Sequence, residues 1–188
     1  MKNINYMCVD PSKSCTGVYI NANKKSLLTN IKNREKCTEQ EAYKNIFDAI
    51  SELIFVHKVD LIIYESYAFS KFGKSRSPSV LAEIIGVVKS AAYLSKNEIV
   101  LLSISSSLWK GVLRGMPFIN CKKDKKYIKL AETYYSRQFA TCDEVDAFSI
   151  AVAIETLYKK HGFSDAQIKM KTLLTNIVDK IEKSKTVF

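Results

Sequence analysis

Histidine is nearly missing from this sequence: His57 and His161 are the only two in 188 residues. Five cysteines are present (Cys8, Cys15, Cys37, Cys121 and Cys142), and no two of them form a CxxC pair. A structural zinc site needs several such ligands at close spacing, so none is expected, and the thiols read as free cysteines of a reducing compartment. Glycine occurs six times and proline three. That scarcity excludes collagen-like and low-complexity classes. It also argues against the two-lobed ATP-binding fold of actin and the sugar kinases, which needs a second glycine-rich phosphate motif and a longer chain. No apolar run approaches the roughly 18–20 residues of a membrane span. The opening "MKNIN" lacks the apolar core of a signal peptide, so the expected setting is a cytosol with no membrane partner.

Positive charge and apolar residues are what the chain has in quantity. Hydrophobic residues make up 47% of it, enough for one domain with a substantial core. Lys and Arg number 29 against 19 Asp and Glu, a net charge of +10 that suits a polyanionic partner such as nucleic acid.

Residues 3–10 and 14–21 read as strands hinged by Asp10-Pro11-Ser12, and "SLLTNI" (26–31) follows the polar turn "NANKK" as an antiparallel third. From Thr38 to His57 the pattern is helical, with Ala42, Ile46, Ile50 and Leu53 on one face. Thr38 and Glu41 stand at capping-box spacing. "VDLIIYE" (59–65) and "EIVLLSI" (98–104) are apolar enough for buried strands. An apolar helix spans Pro78 to Ser95. Basic helical material fills 106–138, interrupted by "RGMPFIN". Helices over 142–160 and 164–183 end the chain. Three leading strands followed by alternating strand and helix predict an α/β domain with a mixed sheet flanked by helices.

Two of these strands end in carboxylates, Asp10 and Glu65. Asp143 and Asp146 open the helix at 142, three residues apart and so on one face of its first turn. Taken singly, Asp10 reads as a turn residue, Glu65 as the start of a solvated loop, and the two helical aspartates as caps favoured by the helix dipole. Taken together they predict a cluster of anions at one sheet edge. Such a cluster repels itself unless it is protonated or bound to cations. An all-oxygen set suits Mg²⁺ or Mn²⁺, and a pair of such ions can drive phosphodiester hydrolysis.

The order of these motifs resembles the RuvC family of Holliday-junction resolvases, within the ribonuclease H-like superfamily. "CVDPSKSCTGVYI" is similar to that family's opening strand, Asp-Pro turn and second strand. "VDLIIYESY" is similar to its central strand ending in the catalytic Glu, "LAEIIGVVKSAA" to the helix that follows, and "CDEVDAFSIAVA" to its closing Asp-x-x-Asp helix. The resemblance covers about residues 4–155 of a single 1–188 domain, leaving 156–188 as a helical extension. It implies a ribonuclease H-like fold and a Mg²⁺-dependent, structure-selective endonuclease cutting Holliday junctions and other branched DNA. Asp10, Glu65, Asp143 and Asp146 would be its catalytic metal ligands. Lys110 and Lys125 would be basic groups near the scissile phosphate, with Lys122, Lys123 and Lys126 competing for the second place because "MPFINCKK" lengthens the segment between them. The alternative is a catalytically inactive branched-DNA-binding protein of the same fold. Ser12 departs from the family's bacterial members, which usually carry Gly there. Small resolvases of phage and poxvirus origin vary in such ways, and the Lys-rich composition suits a phage-type member.

Two basic segments fit a DNA partner. "SYAFSKFGKSRSP" interleaves Tyr67 and Phe69 with Lys71, Lys74 and Arg76, so cations can meet phosphates while a ring stacks on an exposed base. "NCKKDKKYIKL" supplies Lys122, Lys123 and Lys126, part of which must be a solvated helix face. The helix over 78–95 carries Leu81, Ile84, Ile85, Val88, Ala91 and Ala92, more apolar residues than one face needs, with small Ala82 and Gly86 between them. The resemblance implies that a homodimer forms through it.

Overall fold

The computed structural model describes residue 1 and residues 3–66, 78–95, 98–159 and 164–186. Its strands are β1 (Tyr6–Asp10), β2 (Cys15–Ala22), β3 (Lys25–Lys32), β4 (Leu61–Ser66) and β5 (Val100–Ser105). Its helices are α1 (Glu39–His57), α2 (Pro78–Leu94), α3 (Ser106–Val112), α4 (Lys125–Tyr135), α5 (Cys142–Lys159) and α6 (Asp165–Thr186). The strands make one sheet in the order β3-β2-β1-β4-β5. β1, β2 and β3 are antiparallel neighbours, whereas β1–β4 and β4–β5 are parallel, so the sheet is mixed and flanked by helices, as the sequence predicts.

Local chemistry accounts for most boundaries. Asn23 and Lys24 both hold positive φ, which a two-residue hairpin turn requires, and Ala22 pairs directly with Lys25. The Thr38 hydroxyl accepts from Glu41 N–H while the Glu41 carboxylate accepts from Thr38 N–H, a complete capping box for α1. Thr16 closes the first turn: its hydroxyl donates to Ser12 O at 2.7 Å and accepts from Ser12 N–H at 3.3 Å.

Strand parity divides the core. Tyr6, Cys8, Leu61 and Ile63 face a layer built from α3, α4, α5 and α6. Met7, Val9, Ile62 and Tyr64 face α1 and α2. β1 and β4 are covered on both sides, which is why their sequences are apolar without alternation.

Three expectations need correction. β5 is an edge strand, with Leu102 and Ile104 buried but Ser103 exposed. On α1 the fully buried stripe is Ala42, Ile46, Ile50 and Ile54, and Leu53 is only partly covered. On α2, Ile84, Ile85, Val88, Ala91 and Ala92 are all buried within this chain, and Leu81 packs beside them. A charge at Ile85 therefore tests folding, not assembly. The face of α2 left exposed carries Ala82, Glu83, Gly86, Lys89 and Ser90 and, at its end, Tyr93 and Leu94; among the described residues nothing lies within 4 Å of the position a Gly86 side chain would occupy.

Candidate active site

Parallel pairing of Val9 with Tyr64 sets the next residues, Asp10 and Glu65, side by side at the sheet edge. Their parity points both side chains toward the α5 layer, not the α1–α2 layer. The start of α5 is pressed onto β2 at Gly17, where an added Cβ would stand 2.0 Å from Asp143 O. Only glycine permits that approach. A buried carboxylate, Glu144, pins the same turn: one oxygen accepts from the Asn30 amide of β3 and the other from Ala140 N–H at 2.7 Å. Two strands and one helix start thus bring Asp10, Glu65, Asp143 and Asp146 together.

Each carboxylate has its own holder. Glu65 Oε2 accepts from Trp109 Nε1 at 2.9 Å, and Trp109 is fully buried. Asp146 is fully buried; its Oδ1 accepts from the Tyr127 hydroxyl. Its Oδ2 is buried and has, among the described residues, no hydrogen-bond donor of good geometry; the Lys123 ammonium lies against it as counter-charge. The same ammonium stands 3.8 Å from Asp10 Oδ2. Cys15, at the start of β2, sets its thiol against Asp143.

The electrostatics follow from this crowding. Burial pushes the Asp10 carboxyl well above the usual carboxylate range, the Asp146 charge pushes it further, and Lys123 opposes both. Burial also raises Glu65, against the Trp109 hydrogen bond, and raises Asp143, against Lys123. For Lys123, burial works against the charge, but Asp10 and Asp146 outweigh it and hold the ammonium above the ordinary lysine range. These are anions short of cations. Among the described residues no three His, Cys, Asp or Glu side chains are drawn tightly enough around one point to hold an ion as they stand. The donor set nonetheless fits a hard divalent cation: every candidate ligand is a carboxylate oxygen, and among the described residues a lone ammonium is what answers the buried Asp146 Oδ2.

The architecture itself has counterparts among solved structures. RuvC of Thermus thermophilus, in complex with a Holliday junction substrate, superposes with a TM-score of 0.62 over 83% of this chain and 94% of that one, at 14% identity. A second structure of Thermus thermophilus RuvC superposes with a TM-score of 0.61 over 82% of this chain and 95% of that one, also at 14% identity. This chain has the RuvC fold. No protein-family model and no curated protein sequence matches it.

On this RuvC fold the basic residues named from the sequence are unequally placed. Lys110, in α3, lies near enough to Glu65 for its charge to favour that carboxylate, with its ammonium 5.1 Å from the Trp109 ring centre. Lys125 does not reach the carboxylates. It opens α4 on the exposed side, directly after the Asp124 cap, whose carboxylate accepts from Lys126 and Tyr127 N–H groups. Lys123, the last residue before that cap, reaches in instead, because the chain is still turning there. Lys122 and Lys126 are exposed beside it. Tyr67, Phe69, Lys71, Lys74 and Arg76 lie outside the described residues. Sequence reasoning missed Trp109, Tyr127, Glu144 and Asn30. The one signal for Trp109 is that it is the chain's sole tryptophan, next to Lys110. The other three carry no local mark.

Proposed function

We propose that this chain is a divalent-cation-dependent endonuclease that cleaves Holliday junctions and related branched DNA by phosphodiester hydrolysis. The observation that carries this reading is the convergence of Asp10, Glu65, Asp143 and Asp146 from three separate elements onto one edge of a RuvC fold. With Mg²⁺, or Mn²⁺ in its place, these carboxylates would gain the charge they lack. The cation would polarise the scissile phosphate and make an attacking water more acidic. The chain's own residues orient that chemistry. Trp109 fixes one Glu65 oxygen and with it the plane of the carboxylate. Tyr127 occupies Asp146 Oδ1, so only Oδ2 faces inward. Lys110 supplies positive charge on the Glu65 side, where a phosphate would be drawn in.

An inactive DNA-binding protein would have no use for this arrangement. Four crowded carboxylates cost stability, and without chemistry to do they are a liability. Lys122 and Lys126, and outside the described residues Lys71, Lys74 and Arg76, would meet the DNA backbone, while Tyr67 or Phe69 would stack at the branch point. Symmetric resolution needs two nicks on opposed strands, which a two-fold homodimer provides. The exposed small-residue strip of α2 at Ala82 and Gly86 offers such a dimer a close helix contact. The deciding experiment compares cleavage of a four-way junction, fork, flap and linear duplex of shared sequence, with Mg²⁺ and with EDTA. Magnesium-dependent paired nicks in the junction support the reading, and their absence at any divalent-ion concentration rejects it.

A further inference from the structure

We infer that Lys123 is the site's built-in counter-cation, displaced when a divalent ion enters and then free to grip the DNA backbone. The inference rests on the proposed reading only in taking the carboxylates to be a divalent-ion site. Its ground is the position of one ammonium. Lys123 Nζ pairs with Asp146 Oδ2 and stands 3.8 Å from Asp10 Oδ2, between the two most buried carboxylates of the cluster. Among the described residues it is the one ammonium in contact with Asp146 Oδ2, a buried oxygen with no other donor there.

The side chain is suited to leave. Asp10 and Asp146 are held by the sheet and by α5, whereas Lys123 sits in the turn just before the α4 cap. Its side chain is 47% exposed, so the path outward is open. Lysine is a compact, strongly hydrated charge on a flexible stem. It can neutralise a carboxylate pair without the fixed planar fork that would lock an arginine in place. A divalent ion brought to the same oxygens would face the ammonium at close range as a like charge, so the two compete for one position.

Two consequences follow. Without the ion, Lys123 keeps the carboxylates neutralised and the fold intact, and the site has an occupant against which any cation must compete. With the ion bound, Lys123 turns to the surface that carries Lys122 and Lys126 and adds a phosphate contact that the ion-free protein lacks. Cation and DNA then favour one another, and the coupling must run equally in both directions.

Calcium alone tests the exchange without any cleavage, using thermal melting of the whole chain in EDTA and across a calcium titration. Lys123→Met should melt below the wild type in EDTA and respond to calcium at a concentration at least about tenfold lower. Lys129→Met, which removes a charge from the exposed side of α4, should match the wild-type midpoint. An equal or higher calcium midpoint in Lys123→Met overturns the exchange. If that variant does not fold, the wild type still decides. Spectra of lysine labelled at Cε should show the Lys123 signal moving to the position of solvated lysines as calcium is added, and a signal that stays put overturns the inference. Loss of the wild-type calcium response altogether would instead reject the divalent-ion site itself. The handover to DNA is read from salt dependence. Calcium should steepen the log–log slope of junction binding by about 0.9, one phosphate contact, in the wild type and not in Lys123→Met. Equal steepening in both overturns that part.

Discussion

Two aspartate–lysine pairs stand at opposite ends of the same strands, and they are built differently. At the edge where β1 and β4 begin, Asp60 Oδ2 accepts from Asn5 N–H at 2.8 Å and from Lys185 Nζ at 2.5 Å. Lys185 also donates to Asn3 O, so the end of α6 is tied to the start of the chain. Asp60 Oδ2 thus has a backbone donor and an ammonium, and Asp60 keeps contact with solvent. At the edge where the strands end, Asp146 is sealed from solvent, one of its oxygens lacks a donor, and its counter-ion must also serve Asp10. Folding alone rewards the first arrangement and penalises the second. A carboxylate that only fastens the fold is given backbone donors. Among the described residues Asp146 has none from the backbone and is answered by the Tyr127 hydroxyl and the Lys123 charge.

Charge removal at each end sharpens that contrast most. Asp146→Asn should lower magnesium-dependent cleavage of a junction by at least about a thousandfold, and should leave the ion-free protein no less stable because it relieves buried repulsion. Asp60→Asn should leave cleavage within about twofold and cost roughly 0.5–1 kcal/mol of stability, read from urea unfolding. Similar losses of cleavage in both would erase the distinction.

The holders of the carboxylates come next. Trp109→Phe keeps the ring in the core but removes the N–H that orients Glu65. Single-turnover cleavage should fall by about 10- to 100-fold, with unchanged junction binding in calcium. A variant that cleaves normally would show that Glu65 needs no orientation. Gly17→Ala forces the first turn of α5 away from β2, because its Cβ would overlap Asp143 O. It should cost about 1–3 kcal/mol in urea unfolding and carry Asp143 and Asp146 out of line.

The smallest effect concerns Cys15. Burial first, and then the Asp143 charge, push its thiol up to about 11. Alkylation by iodoacetamide near neutral pH should therefore be slow and should speed up as pH rises toward that value, since the thiolate is the reacting form. Asp143→Asn removes the second cause, lowers the pKa and should quicken alkylation several-fold at about pH 8. An unchanged rate would mean that the thiol and the carboxylate are not in contact in solution.

Much of this was legible in the sequence because it is written in short-range chemistry. The strand end at Asp10, the placement of Glu65 one residue before the end of β4, the Thr38–Glu41 cap and the Asp143–Asp146 spacing each depend on residues within one turn or one strand. The choice between Lys123 and Lys125 was not legible. In a run of neighbouring lysines, the one that reaches inward is set by where the Asp124 cap begins α4 and by where α4 rests. The apolar surplus of α2 could be read as a dimer face or as core, because a helix's sequence says that a face is covered and not by what; α1 and the sheet cover it.

The sequence by itself determined the kinds of element, their order and the acidic character of three of their ends, since propensity, capping and alternation act locally. Tertiary structure alone decided which of those ends meet, because Trp109 reaches Glu65 across 44 residues and Asn30 reaches Glu144 across 114. It also decided that Asp146 would be buried with an oxygen unanswered by any donor but a lysine's charge. Burial and charge balance are properties of what surrounds a residue, and the surroundings exist only after the chain has closed on itself.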